Sequence, residues 1–423
     1  MGDPQKSDNI YVGLWVKGEF VPAGIIAYNK STGISGFKYL EGYDGPPIDP
    51  INLNYQKSGS RIFRVDPRFN QQMLHRVFQD QLPGAWGMSV LMAEHPELKT
   101  MSAAERLSWF GTRTVGGMNC RVFGEDKLEH PNSGMARLTE IRAKSVDLFH
   151  KKIATIIDKR AWWGLCSHGG ARPKTSFVDE DGQHWLVKFN VDFDGYNGAR
   201  IEHALAVMAK VAGIPSVETK VVTLLDGEEV LFVKRFDRSP GLINHQPAEV
   251  RQHQISLFSL LNEAKFQSQD QSDYTDLIQV VRQASSSPDE DSEQLFTQML
   301  YNIGVNNTDD HAKNFSMLLT DDGYRLSPMY DVTPNTDPYP HAASLCGLAR
   351  ADLSESMVQF FAKKMGIEQQ IAMEIRANVV AALGQWVEIA HSCGVSESDI
   401  ALVQKRMYGQ SNLIGRSSKA GPT

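Results

Sequence analysis

The chain has 423 residues, of which 41% are hydrophobic and 22% charged, and its formal net charge is −7. This length suggests two or three domains or lobes with a sizeable core. The acidic balance argues against broad electrostatic capture of nucleic acid by this chain alone. No apolar run approaches the ~20 residues of a transmembrane helix, and there is no signal-peptide core, so we expect a cytoplasmic protein without membrane contact.

Residues 1–130 are predicted to form a small α+β subdomain. Alternating patterns predict strands at 10–16 and 36–40, and a further strand is predicted at 118–123. A helical pattern over 69–82 ends at a Pro-Gly pair. Ser102 and Glu105 have the spacing of a capping box, which predicts the start of another short helix.

Residues 131–238 are predicted to form a lobe built on a curved sheet. After an amphipathic helix over 138–157, the pattern predicts strands at 175–178 and 184–189 joined by an Asp-Gly turn, a helix over 199–212, and strands at 217–225 and 229–236. Strand pair, helix, strand pair is the order of elements in the N-lobe of a kinase.

Residues 239–423 are predicted to form a second, helical lobe. The Ser-Pro-Gly run at 239–241 is interpreted as the hinge into it. Helical patterns cover 251–304 and 353–407, and a strand hairpin is predicted between these two helical stretches.

Asp309, Asn314 and Asp331 have the spacing of a phosphoryl-transfer site. In this chemistry one carboxylate orients and deprotonates the attacking hydroxyl, while an amide and a second carboxylate hold Mg²⁺ on the phosphates of ATP. We assign these roles to Asp309, Asn314 and Asp331 respectively. Lys313 would shield the developing charge, and His311 would orient the loop. The alternative is a polar turn without chemistry.

Lys188 lies between apolar residues on a predicted strand, and Glu202 lies on the following helix. The lysine ammonium would contact the α- and β-phosphates, and the glutamate would fix its rotamer. The alternative is a solvated lysine and a surface glutamate. Ahead of this strand, the loop 169–174 has two glycines and two cations, Arg172 and Lys174, that could cradle phosphates. The alternative for this loop is a simple turn.

The ordered motifs resemble the HipA family of serine/threonine kinases, which are toxins of type II toxin–antitoxin modules. They are S-H-G-G-A-R-P-K at 167–174, V-K-F at 187–189, V-K-R-F-D-R at 233–238, T-D-D-H-A-K-N-F-S at 308–316 and Y-D-V-T-P at 330–334. The similarity covers nearly the whole chain, including F-Q-D-Q-L-P-G-A-W-G at 78–87. The implied fold is a bilobal α+β protein-kinase-like fold with an extra N-terminal α+β subdomain.

The resemblance implies a full set of site residues. Asp309 would be the catalytic base, with Lys188 and Lys313 assisting, and Mg²⁺ would bind to Asn314 and Asp331. ATP would be held by Gly169, Gly170, Ala171, Arg172, Pro173, Lys174, Lys188, Lys234, Arg235, Phe236, His311, Asn314 and Tyr330. Glu202 would orient Lys188. Ser167 would be autophosphorylated, and the added charge beside the ATP phosphates would switch the enzyme off.

The resemblance also implies partners. A small helix-turn-helix antitoxin like HipB would restrain the kinase and carry it to operator DNA, and the substrate could be an aminoacyl-tRNA synthetase, whose phosphorylation would arrest growth. Two alternatives stay open from the residues: a non-catalytic co-repressor that binds the antitoxin, and a small-molecule kinase. Two departures from the family pattern, Arg251-Gln-His-Gln254 and the Gly-Gly and Arg-Pro pairs of the 169–174 loop, bear on cleft contacts and on Ser167.

Overall fold

The structure is a computed structural model. It describes residues 9–29, 32–55, 61–84, 87–88, 92, 95–111, 115–121, 134–155, 173–191, 195–243, 245–266, 268, 271–335 and 339–408, with the backbone alone at 144, 147–155, 243, 246 and 247. Within these ranges, no helix has the length and apolar character that crossing a bilayer requires.

The N-terminal unit is a five-stranded antiparallel sheet. Its strands are β1 (Asn9–Val16), β2 (Glu19–Tyr28), β3 (Ser35–Tyr39), β4 (Phe63–Arg64) and β5 (Met118–Arg121), in the order β4-β3-β2-β1-β5. Lys17 and Gly18 both have positive φ at the β1–β2 turn, as a two-residue hairpin loop requires. The strands predicted at 10–16 and 36–40 and the α+β character of this region are confirmed. The strand predicted at 118–123 is present over 118–121, and residues 122 and 123 lie outside the described residues.

Two short helices pack beside this sheet, α1 (Arg76–Gln79) and α2 (Ala103–Phe110). The capping box at Ser102 and Glu105 is present in both directions. The helix predicted over 69–82 is wrong in extent because only α1 is α-helical. Met73 has a φ of 56°, and the Asn70 side chain donates to the Leu74 carbonyl at 2.7 Å, so a local turn replaces the first helical turns.

The second unit is a four-stranded antiparallel sheet in the order β6-β7-β9-β8. Helix α3 (Met135–Thr155) precedes β6 (Lys174–Val178) and β7 (His184–Phe189), and α4 (Gly198–Val211) separates them from β8 (Thr219–Thr223) and β9 (Glu229–Lys234). The predicted order of strand pair, helix and strand pair is confirmed. Leu138 of α3 packs with Phe177, Trp185 and Phe232 on one face of this sheet.

The stretch predicted as a hinge is wrong: it belongs to a hairpin of β10 (Arg238–Ile243) and β11 (Gln246–Arg251). A side chain at Gly241 would begin 2.4 Å from a methyl carbon of Val250, so the glycine permits close strand packing here and not flexibility. A three-stranded sheet follows, with β12 (Gln254–Ser256), β13 (Ser316–Thr320) and β14 (Gly323–Leu326).

The helical pattern predicted over 251–304 is wrong at its start, because Arg251 ends β11 and residues 254–256 form β12. The elements that remain are helices, as predicted for most of this region. They are α5 (Leu257–Leu260), α6 (Tyr274–Ala284), α7 (Pro288–Val305), α8 (Glu355–Met365), α9 (Gln369–Gly384), α10 (Trp386–Ser392) and α11 (Glu397–Gln404). A continuous buried core joins them to α4 and to the N-terminal sheet. The Tyr301 hydroxyl of α7 donates to the Leu205 carbonyl of α4 at 2.7 Å and ties the two lobes together.

Candidate active site

The loop that carries the Asp-x-x-x-x-Asn motif begins where α7 ends. Asn306 adopts the left-handed conformation with a φ of 55°, which turns the chain out of the helix. The Asn307 amide donates to the Asn302 side chain at 2.9 Å, and the Asn335 amide donates to the Thr308 hydroxyl at 2.9 Å. The start of the loop is therefore fixed by side chains from both of its flanks.

Asp310 anchors the centre of this loop. Its carboxylate is fully buried, accepts the Tyr274 hydroxyl at 2.9 Å and the Ala342 amide at 3.0 Å, and lies 2.7 Å from the His341 Nδ1 atom. A buried carboxylate is costly unless donors surround it, so these contacts define one conformation of the loop. The sequence analysis assigned no role to Asp310, because its partners are distant in the chain.

Asp309 and Asn314 are brought together by a 3₁₀ turn over Ala312–Asn314. The Asn314 side-chain amide donates to the Asp309 carbonyl at 2.5 Å, which leaves the Asn314 amide oxygen available as a ligand. The Asp309 side chain is 24% exposed, and its Oδ1 lies 3.7 Å from the Nε2 atom of buried His311. The orienting role of His311 stays a prediction.

Lys188 joins the two lobes. Its ammonium lies 2.5 Å from Glu202 Oε1 on α4 and 2.5 Å from Asp331 Oδ1 beyond β14. Burial would lower the pKa of the Lys188 ammonium, but Asp331 and Glu202 together raise it above its ordinary value. The predicted pairing of Lys188 with Glu202 is present in the structure, and a direct contact with Asp331 accompanies it.

Asp331 is held in an uncommon backbone conformation with a φ of 59°, which points to a functional constraint. Two residues earlier, the backbone of Met329 exchanges hydrogen bonds with the Pro215 carbonyl and the Val217 amide at 2.7 and 3.1 Å. Burial would raise the pKa of the Asp331 carboxyl, but the charges of Lys188 and Lys174 lower it to about 2. Asp331 is therefore ionised, as a metal ligand must be.

The described part of the 169–174 loop lies near these groups. Lys174 is in register with Lys188 across the β6–β7 hairpin, and its charge contributes to the low pKa of Asp331, as does that of His311. Pro173 is buried, and its carbonyl accepts the Phe189 amide at 3.0 Å. Gly169, Gly170, Ala171, Arg172 and Ser167 lie outside the described residues.

The segment 234–236, which the family resemblance assigns to ATP binding, divides in two. The Lys234 ammonium lies 3.1 Å from Glu218, and the Arg235 guanidinium makes two hydrogen bonds with Asp237 at 2.8 and 2.5 Å. Phe236 instead packs against the Tyr330 ring with centroids 5.4 Å apart. The Phe236–Tyr330 pair therefore offers an aromatic surface one residue from Asp331, while the two cationic side chains are engaged elsewhere.

The oxygen donors fit Mg²⁺ bound together with a nucleotide. One carboxylate and one amide oxygen are a small set, and Mg²⁺ characteristically completes its octahedron with phosphate oxygens and water. The described residues contain no cluster of three or more His, Cys, Asp or Glu side chains that would hold a metal without such help. Asn314 and Asp331 would hold the ion, which would neutralise charge on the phosphates.

A family model described as "HipA-like C-terminal domain" matches residues 166–387, more than half of the chain. The chain belongs to the HipA-like C-terminal domain family. The HipA-like region contains Lys188, Glu202, the 306–315 loop and Asp331, whereas the N-terminal sheet precedes it.

Two known proteins are similar to this chain. A chain of the solved complex of HipA, HipB and operator DNA from Shewanella oneidensis MR-1 superposes with a TM-score of 0.70 at 15% identity, over 97% of each chain. The "Putative kinase Y4mE" of Sinorhizobium fredii is 28% identical over 201 residues, which cover 46% of this chain and 40% of that protein. The match thus spans less than half of that relative. The predicted HipA family and the bilobal α+β fold with an N-terminal subdomain are confirmed.

Proposed function

We propose that this protein is an ATP- and Mg²⁺-dependent protein serine/threonine kinase. The observation that carries the proposal is the contact of Lys188 with both Glu202 and Asp331, which joins the sheet lobe to the segment next to the Asp309 loop. In protein kinases a strand lysine pairs with a helix glutamate to contact the phosphates, and a nearby aspartate binds the metal.

The residues divide the chemistry as follows. Asp309 accepts the proton of the substrate hydroxyl as the hydroxyl oxygen bonds to the γ-phosphorus, and the bond to the β–γ bridging oxygen breaks to release ADP. Lys188 and Lys174 offset phosphate charge from the sheet lobe, and Lys313 offsets it from the loop. Asn314 and Asp331 hold Mg²⁺, and Phe236 and Tyr330 provide the apolar contact for the base.

The biological role that we propose is that of a cytoplasmic toxin in a HipA–HipB-like module. The fold similarity to a chain solved with HipB and operator DNA supports a helix-turn-helix antitoxin as partner, with DNA contacted mainly through it. The acidic net charge of −7 agrees with indirect DNA contact. The substrate that we propose is an aminoacyl-tRNA synthetase, and phosphorylation of Ser167 would switch the kinase off.

The test is transfer of radiolabelled phosphate from ATP by the purified chain, with mass spectrometry to locate the label. We expect Mg²⁺-dependent labelling that includes Ser167, loss of labelling in Asp309→Asn, and normal labelling in the control Asp322→Asn, which lies in an exposed turn. Absence of transfer together with tight binding of a helix-turn-helix partner would instead establish a non-catalytic co-repressor. Label on a small molecule but on no protein would overturn the protein-kinase assignment.

A further inference from the structure

A carboxylate from the N-terminal unit reaches the base of the candidate active site. Asp80 directly follows α1, and its Oδ2 and Oδ1 atoms accept the Ser256 amide at 2.9 Å and the Ser256 hydroxyl at 3.1 Å. Ser256 is the last residue of β12, where it pairs with Ser316 of β13, and it precedes α5. One residue of the N-terminal unit therefore fixes the segment that leads into α5.

That segment supports the loop that carries Lys313. The Leu257 amide donates to the Phe315 carbonyl at 2.9 Å, and the Lys313 ammonium lies 5.3 Å from the centroid of the Phe258 ring. The guanidinium of Arg76, in α1, lies 4.1 Å from the same centroid and donates to the Phe258 carbonyl at 3.3 Å. The N-terminal unit thus holds the ring on which the exposed Lys313 side chain rests.

The charge distribution agrees with this geometry. Burial raises the pKa of the Asp80 carboxyl, and attraction to Lys313 is the largest effect that opposes the rise. The Tyr330 hydroxyl donates to the Lys313 carbonyl at 3.0 Å, so the residue that precedes Asp331 contacts the same loop. Asp80 is therefore within electrostatic range of Lys313.

We propose that Asp80 is a positioning residue for Lys313, so that the N-terminal unit is a working part of the kinase site and not a separate module. The proposal rests on the function proposed above. A lysine side chain in solvent samples many rotamers, and freezing it during the reaction is costly. A nearby carboxylate and a fixed aromatic ring confine it beforehand, which should act on the chemical step more than on ATP binding.

The experiment is a double-mutant cycle on phosphate transfer with Asp80→Asn and Lys313→Met. We expect Asp80→Asn to lower kcat about tenfold and to change KM for ATP by less than about twofold. Lys313→Met should lower kcat further, and the double variant should be no slower than Lys313→Met alone, because the two residues act as one unit. An unchanged kcat in Asp80→Asn, or losses that multiply in the double variant, would overturn the proposal.

Further variants and a measurement that does not depend on activity complete the experiment. Asp66→Asn is the matched control, because Asp66 belongs to the same unit but is exposed and paired with Arg68. If Asp80→Asn folds poorly, Phe258→Leu replaces it as the test variant, and it should show the same loss of kcat because it removes the ring beside Lys313. Hydrogen exchange needs no activity: amides 256–260 and 312–316 should exchange faster in Asp80→Asn and not in Asp66→Asn. If the wild type transfers no phosphate, the proposed function fails, and unchanged exchange would then independently refute the role of Asp80.

Discussion

The Lys188 ammonium and the Asp331 carboxylate lie 2.5 Å apart, although 143 residues separate them in the chain. This contact joins a strand of the sheet lobe to the segment that follows the helical lobe's hairpin. Because Glu202 binds the same ammonium, replacing Lys188 leaves the buried Glu202 carboxylate and the half-buried Asp331 carboxylate to repel each other and the phosphates.

We therefore expect Lys188→Met to lower kcat/KM for ATP by about 100-fold or more, since it removes a phosphate contact and adds repulsion. Lys210→Met is the control, because Lys210 is an exposed lysine in the last turn of α4. Steady-state transfer rates measure the effect. If Lys188→Met were as active as Lys210→Met, Lys188 would not take part in phosphate transfer.

Asp331 should make the stability of the fold depend on pH in acid. Its pKa of about 2 lies below that of an unfolded aspartate, about 3.9, so the ionised form stabilises the fold fully above about pH 4. The contribution, on the order of 2 kcal/mol, is lost as the pH falls from about 4 towards 2. Urea unfolding should show a difference in the free energy of unfolding between wild type and Asp331→Asn. This difference should be constant above pH 5 and should become smaller below pH 4. A difference that does not change with pH would contradict this account.

Asp310 should matter for stability more than any exposed aspartate. Asp310→Asn keeps the size but places an amide group among the donors of Tyr274, His341 and Ala342. We expect a loss of about 2–4 kcal/mol in the free energy of unfolding. Asp322→Asn, in the exposed β13–β14 turn, should cost less than about 0.5 kcal/mol. Equal unfolding midpoints for the two variants would refute the anchoring role.

Gly117 tests whether the N-terminal unit is docked as observed. A Cβ atom there would lie 2.9 Å from the His253 amide nitrogen and 3.0 Å from the Trp15 Cβ, closer than real contacts allow. Gly117→Ala should therefore destabilise the protein by about 1–3 kcal/mol. Gly384→Ala, which meets open space at the end of α9, should stabilise it by about 0.5–1 kcal/mol. The unfolding temperatures of both variants measure these effects. A Gly117→Ala variant as stable as the wild type would argue against this docking.

The sequence was most informative where local pattern decides structure. Lys188 could be placed on its strand because the Asp-Gly turn fixes the register of the β6–β7 hairpin. The spacing of Asp309 and Asn314 predicted their proximity because a single 3₁₀ turn links them. The roles assigned to both residues remain predictions, as do the domain boundaries.

Tertiary contacts account for what the sequence did not predict. Asp310 finds Tyr274 and His341 at separations of 36 and 31 residues, which no local pattern encodes. The Arg235 side chain binds Asp237, because that buried carboxylate needs a cation. Arg235 therefore points away from the surface that Phe236 forms, although the two residues are neighbours in the chain. The strand at 238–243 was missed because a Pro-Gly pair usually marks a turn. Here the absence of a side chain at Gly241 leaves room for the Val250 side chain of the paired strand.

We propose above that Asp331 and Asn314 share one Mg²⁺ with a nucleotide held by Lys188. Isothermal titration with a non-hydrolysable ATP analogue, with and without Mg²⁺, tests this most directly. We expect the wild type to bind the analogue tightly only with Mg²⁺, and Asp331→Asn to bind it at least about tenfold more weakly, because the metal ligand is lost. Equal affinities with and without Mg²⁺, or no nucleotide binding at all by the wild type, would contradict it.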